Sequence, residues 1–114
     1  MYKQEKSANN YGMAAIIINN NNFKKEIKYC KTPVLLSFGF NSGLPSILLK
    51  RTADALSDEF KGKIKVGFVD SINADAVKEF NIRFFPVSVV IKDGIVTDKI
   101  VGSMCKSDML KILQ

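Results

Sequence analysis

Histidine and tryptophan are absent from this chain of 114 residues, cysteine occurs twice and proline three times. Without histidine there is no imidazole to act as general base or proton shuttle near neutral pH. Two widely separated thiols, Cys30 and Cys105, and no histidine also exclude Cys/His zinc ligation at ordinary spacing, so no metal is expected. No apolar run approaches the roughly 20 residues that cross a bilayer, which argues against a membrane role. The opening stretch MYKQEKSANNYG has no apolar segment of the secretory kind. Residues 1–12 therefore read as a polar, mobile arm ahead of one domain, residues 13–114. Sparse cysteines without a leader favour a reducing, cytoplasmic setting.

What is present is ordinary for a compact domain: 46% hydrophobic and 25% charged residues, with eight Phe supplying much of the large apolar area. A chain of this length builds a core without metal or disulfide staples. The formal charge of +6 attracts anions. The lysines are spread along the chain, however, and no Arg or aromatic residues punctuate a basic run, which speaks against nucleic acid. Two local groups stand out. Lys24, Lys28 and Lys31 share a helical face, and Lys61, Lys63 and Lys65 a strand face; at one end of a sheet they would form either a surface for an anionic partner or a solvated basic end.

Met13–Asn19 is a short Ile-rich run that reads as a buried strand. An Asn within 19–22 is placed to cap a helix running from Phe23 to Cys30, which Pro33 ends. Val34–Phe40 is almost wholly apolar, as a central strand covered on both faces must be. Pro45 suits the first turn of a long helix whose Leu49, Ala53, Leu56 and Phe60 form one stripe, with Gly62 as its left-handed cap. Lys63–Asp70 reads as a strand, and 73–80 as a short helix with Ala76, Val77 and Phe80 inward and Asn81 at its end. Val87–Lys92 and Ile95–Gly102 are strands joined by Asp93-Gly94, a two-residue hairpin signal. A last helix runs from Cys105 to Gln114, anchored by Leu110 and Leu113. The order is βαβαβαββα: an α/β fold with a mixed five-stranded sheet, helices on both faces, the first three strands parallel and the last pair antiparallel.

From Met13 to Leu113 the chain resembles the thioredoxin family. Ile82-Arg83-Phe84-Phe85-Pro86 matches that family's Ile-Arg-x-x-Pro element, whose proline is cis. Lys92-Asp93-Gly94 matches its hairpin, and Val101-Gly102 the pair before its last helix. The family's Trp-Cys-Gly-Pro-Cys falls, without insertion, on Ser42-Gly43-Leu44-Pro45-Ser46. The resemblance implies a thioredoxin fold, but its chemistry does not carry over. Disulfide exchange needs an attacking thiolate and a resolving thiol; those positions are Gly43 and Ser46. The family's buried acid falls on Ser37, its accompanying lysine on Phe68, and its two tryptophans on Gly39 and Ser42. Dithiol oxidoreductase activity is therefore not expected, and no cofactor is implied.

Pro86 carries the leading functional reading. In the family, the backbone before the cis-proline pairs with an extended substrate peptide, a form of strand addition. A groove for a protein or peptide partner would be lined by Gly43, Leu44, Phe85, Pro86, Val101, Gly102 and Ser103, with Leu44 making its rim apolar; the plainer reading of Pro86 is turn geometry alone. Ser46, without a histidine to activate it, fits a helix-capping hydroxyl better than a nucleophile. Cys105, at a helix start and beside Lys106, is placed where a thiolate is favoured, on the same side as the degenerate motif by family geometry. It is either a single reactive thiol or a small residue at a cap. Cys30 falls at the other end of the sheet, so a Cys30–Cys105 disulfide is not expected. The chain reads as a redox-inactive binding, adaptor or chaperone-like domain; the alternative is a thiol oxidoreductase of single-cysteine mechanism using Cys105.

Overall fold

Each apolar run of the sequence becomes a strand and each helical stripe covers one face of the sheet those strands form. A computed structural model describes residues 14–39, 43–70, 72, 74–102 and 105–113. Over these the elements run β1 (Ile16–Ile17), α1 (Lys24–Lys28), β2 (Val34–Phe38), α2 (Leu44–Glu59), β3 (Lys65–Val69), α3 (Asp75–Glu79), β4 (Val87–Lys92), β5 (Ile95–Val101) and α4 (Lys106–Leu113). The arm expected over residues 1–12, and Met13 with it, lies outside the described residues.

The strands lie in the order β1-β3-β2-β4-β5. β1 and β2 run parallel to β3, while β4 is antiparallel to both β2 and β5. All five residues of β2 are buried, which is why that segment shows no alternation in sequence. Its Val34, Leu36 and Phe38 enter a cluster with Phe23, Ile27 and Val77 from the α1 and α3 side. Leu35 enters the opposite cluster, with Leu49, Ala53 and Leu56 of α2 and Met109 of α4. Burying each such Leu contributes roughly 2 kcal/mol. Gly67 keeps the first of these layers thin. A Cβ there would lie 2.9 Å from Ile18 Cγ1 and 3.0 Å from Leu36 Cδ1.

Several boundaries differ from the sequence expectation, each for a visible reason. The first strand contracts from Met13–Asn19 to Ile16–Ile17: the Ile18 N–H still donates to the Phe68 carbonyl of β3 at 2.8 Å, but the residues before Ile16 bond elsewhere. The Ala15 N–H donates to Asp54 Oδ1 at 2.9 Å and the Ala14 carbonyl accepts from Ser57 Oγ at 3.0 Å, both on α2. Asn19 and Asn22 then cap each other's backbone N–H groups, at 2.8 and 3.2 Å. The first helix is one π-helical turn rather than Phe23–Cys30, closed by Tyr29 N–H to the Lys24 carbonyl at 3.0 Å. The third strand begins at Lys65, not Lys63, because Lys63 and Ile64 both donate to the Phe60 carbonyl in the turn after α2. Lys61, Lys63 and Lys65 consequently do not share a strand face. α2 ends at Glu59 with Phe60 as its cap, so Gly62 (φ 82°) shapes the following turn instead of closing the helix. α3 spans only Asp75–Glu79, its first N–H held by Asn20 Oδ1 at 2.7 Å. In α4 the fully buried anchor is Met109, with Leu110 and Leu113 only partly buried. The Asp93-Gly94 turn has φ 52° and 78°, the left-handed pair that a two-residue hairpin needs.

Candidate functional site

The strand register gathers the singled-out residues at one end of the sheet. Phe38, the last residue of β2, pairs with Val87, and Val87 pairs with Val101. The Gly102 N–H donates to the Pro86 carbonyl at 2.7 Å. Gly43–Ser46, Phe85–Pro86 and Val101–Gly102 thus share the carboxyl end of β2. The Phe85–Pro86 peptide bond is cis. Ser103, like 40–42, lies outside the described residues.

At the helix start, Gly43 holds φ 99°, a conformation that glycine alone adopts readily. Leu44 opens α2 and is 65% exposed, with Pro45 in the first turn. Ser46, by contrast, is buried under Gly39 and Phe68. A Cβ on Gly39 would meet Ser46 Oγ at 3.0 Å and Phe68 Cζ at 3.2 Å, so Gly39 is what allows Ser46 and the ring to pack there. Beneath them, Ser37 of β2 sits opposite Phe68 on one side and Ser88 on the other. The Ser37 and Ser88 hydroxyls bond to each other at 2.7 Å, both completely buried. Where the resemblance places a buried acid and its lysine, there is a closed hydroxyl pair beside an aromatic ring. Lys50 lies 5.9 Å from the centre of that ring, its Nζ bonded to Asp54 at 2.8 and 2.9 Å. Beneath the helix start, Ser46 and Phe68 are buried and the Ser37 and Ser88 hydroxyls satisfy each other.

The proline side is open. Phe84 is 67% exposed and Val101 65%. With Ile82, Val87, Arg83 and Lys99 they line a cavity of about 180 Å³. A second hollow of about 260 Å³, on the other side of the α2 start, lies between Ile17, Ile47 and Phe68. Both are smaller than the roughly 300–1,000 Å³ of small-molecule sites and match single side chains better. Phe84, Arg83 and Lys99 were not among the residues the sequence singled out. An aromatic two residues before Pro86 gives no sign in sequence that it will stand outside the core, and Lys99 lies far from Arg83 along the chain.

Cys105 is exposed at the start of α4. Its Sγ lies 3.2 Å from Ser107 Oγ and donates to Asp108 Oδ2 at 3.3 Å. Its neighbour Lys106 pairs with Glu59 at 2.8 Å, the last residue of α2 and about 22 Å of helix from Leu44. None of the described contacts of Cys105 reaches Gly43–Ser46. Cys30, near the start of β2, bonds Thr32 Oγ1 at 3.1 Å; both cysteines are free. The lysine groups are partly neutralised, Lys65 by Glu26 at 2.8 Å and Lys28 by Glu79 at 3.9 Å. Among the described residues no helix is long and apolar enough to cross a membrane.

A mixed sheet of this order, helices on both faces, a proline turn opposite the start of a long helix: these features define an α/β domain of thioredoxin-like architecture. The chain belongs to the thioredoxin family, whose family model matches residues 14–114. It is 32% identical over 100 residues to Thioredoxin C-2 of Corynebacterium nephridii, covering 85% of this chain and 93% of that one. It is 28% identical over 102 residues to Thioredoxin 1 of a Nostoc species, covering 89% and 95%. With a thioredoxin of Rickettsia felis it shares 31% over 94 residues, covering 82% and 90%.

Proposed function

We propose that this thioredoxin-family chain is a redox-inactive binding module that holds a segment of a protein partner at the proline side of the carboxyl end of β2. The observation that carries this reading is the division of that end into two halves. The family resemblance puts Gly43 and Ser46 at the two positions where disulfide exchange requires sulfur. Ser46 is buried, while Leu44, Phe84 and Val101 present apolar surface to solvent. Such surface is what a recognition patch supplies. A protein partner suits the family resemblance, in which this edge receives an extended peptide, and cavities of side-chain size support it. Two free cysteines agree with a reducing, cytoplasmic setting.

The test pairs a turnover assay with a binding assay. Insulin reduction in the presence of dithiothreitol is expected to run no faster with the protein than without it, and Cys105→Ser to change nothing. Turnover abolished by Cys105→Ser would overturn the reading in favour of a single-cysteine oxidoreductase. Affinity capture is expected to retain partners that a Phe85→Asp variant releases. An unchanged bound set would remove the groove.

A further inference from the structure

The cavity beside the proline turn combines an apolar wall with two cations. Ile82, Phe84, Val87 and Val101 supply the wall, Arg83 and Lys99 the charge, and no carboxylate lines it. Its position follows from the fold. α3 is only five residues long and its Ala76 and Val77 cluster with residues of β2 and β4, while Lys99 and Val101 of β5 are exposed. Among the other described cations, Lys28, Lys50, Lys65 and Lys106 have acidic partners, while surface cations such as Lys24, Lys78 and Lys92 have none. Neither Arg83 nor Lys99 has an ion pair among the described residues.

We infer that the segment held here is acidic as well as apolar: an extended stretch of a partner protein that places a hydrophobic side chain against Phe84 and Val101 and a neighbouring carboxylate on Arg83 and Lys99. This inference rests on the binding-module reading above. A neutral apolar segment covering the cavity would take water from two cations and return no counter-charge, an unfavourable exchange. A carboxylate restores the lost hydration and accepts the guanidinium's paired donors. The net charge of +6 further accelerates encounter with an acidic segment. The chain's own first twelve residues do not fit, since Lys3 and Lys6 outnumber Glu5. Nucleic acid fits less well, because the wall is aliphatic apart from one ring, whereas single strands need a series of stacking platforms.

The full chain is titrated by fluorescence anisotropy against labelled short peptides of alternating Glu/Leu, Gln/Leu and Lys/Leu, and against a single-stranded oligodeoxynucleotide of equal length. The Glu/Leu peptide is expected to bind at least about tenfold tighter than the Gln/Leu peptide, the gap narrowing with salt. In Arg83→Glu/Lys99→Glu the preference passes to the Lys/Leu peptide, and in Arg83→Gln/Lys99→Gln it vanishes; circular dichroism establishes that both variants fold. Equal affinity for all three peptides, lost together in Phe84→Asp, would overturn the acidic assignment and leave the binding module standing. No binding of any peptide would overturn both. An oligonucleotide that binds as tightly as the Glu/Leu peptide, and is lost with the same two cations, would replace it with a general polyanion surface.

Discussion

The two halves of the carboxyl end of β2 are built on opposite principles. On the helix side, Ser46 and Phe68 are buried and leave too little room for a Cβ at Gly39, and the Ser37 and Ser88 hydroxyls bond each other at 2.7 Å. On the proline side, Phe84 and Val101 are each about two-thirds exposed and their nearest charges are unpaired. On the proposed reading, the buried layer beneath the helix start and the surface that holds a partner are made of separate residues. The interior beneath the helix start can become neutral core while the opposite rim still offers a surface. If that division is right, substitutions in the buried layer beneath the helix start act on stability, and those at exposed Leu44 and on the proline side act on binding.

The hardest blow to the comparison is Phe68→Lys, which reinstates the cation the family resemblance places there. With Ser37 in place of an acid, the ammonium is buried without a counter-charge and the ring's packing is removed. The cost is about 3–5 kcal/mol, read as a fall in Tm of about 15 °C. Adding Ser37→Asp recovers a substantial part of it, because the pair then partners itself; a double-mutant cycle measures the coupling. Additive losses would mean that the two positions do not face a common space, against the register that sets them opposite.

Gly39→Ala comes next. The new Cβ enters 3.0–3.2 Å from Ser46 Oγ and Phe68 Cζ, where neither neighbour is at the end of a long flexible chain. Overpacking of this kind costs about 1–3 kcal/mol. Gly39→Ala/Ser46→Gly relieves it, since the atoms met first belong to Ser46. A smaller effect belongs to the hydroxyl pair. Ser37→Ala leaves Ser88 buried without its partner, for about 1–2 kcal/mol, and Ser37→Ala/Ser88→Ala is no worse than the single change. Urea denaturation of the four proteins in that cycle decides it.

How much of this was visible in the sequence depends on whether an interaction is local. β2, the Pro45 helix start, the hairpin and the thioredoxin resemblance were all legible, because each is carried by neighbouring residues: the apolar run Val34–Phe38, Pro45 in a first turn, Asp93-Gly94. The identities at Gly43, Ser46, Ser37 and Phe68 showed what the helix start lacks. What replaced it was not legible. Ser37 bonds Ser88 across 51 positions and Asn20 caps Asp75 across 55, contacts that no periodicity predicts. The shortening of β1 arises in the same way, since Asp54 and Ser57 of α2 take the backbone groups a longer strand would have used. The open cavity escaped for a different reason. Phe84 and Phe85 read alike in sequence, and only the turn into Pro86 sets one half-buried and the other outward.

The smallest expected change in stability sharpens the comparison most. Phe84→Ser removes a ring that is 67% exposed and belongs to neither core cluster. Surface changes away from caps and buried networks stay within about 0.5 kcal/mol, so Tm should move by no more than about 2 °C. Peptide affinity should nevertheless fall about tenfold or more, as truncation of a central aromatic anchor does at other interfaces. Phe68→Ser, the same change of residue type on the helix side, should invert the result, with a large fall in Tm and no separate loss of affinity in the fraction that remains folded. The contrast between these two phenylalanines isolates the claim. One ring fills the space beneath a helix start that has no thiol, and the other waits on the rim. If Phe84→Ser lowers Tm as far as Phe68→Ser, the proline side is core like the rest, and the division between packing and recognition fails.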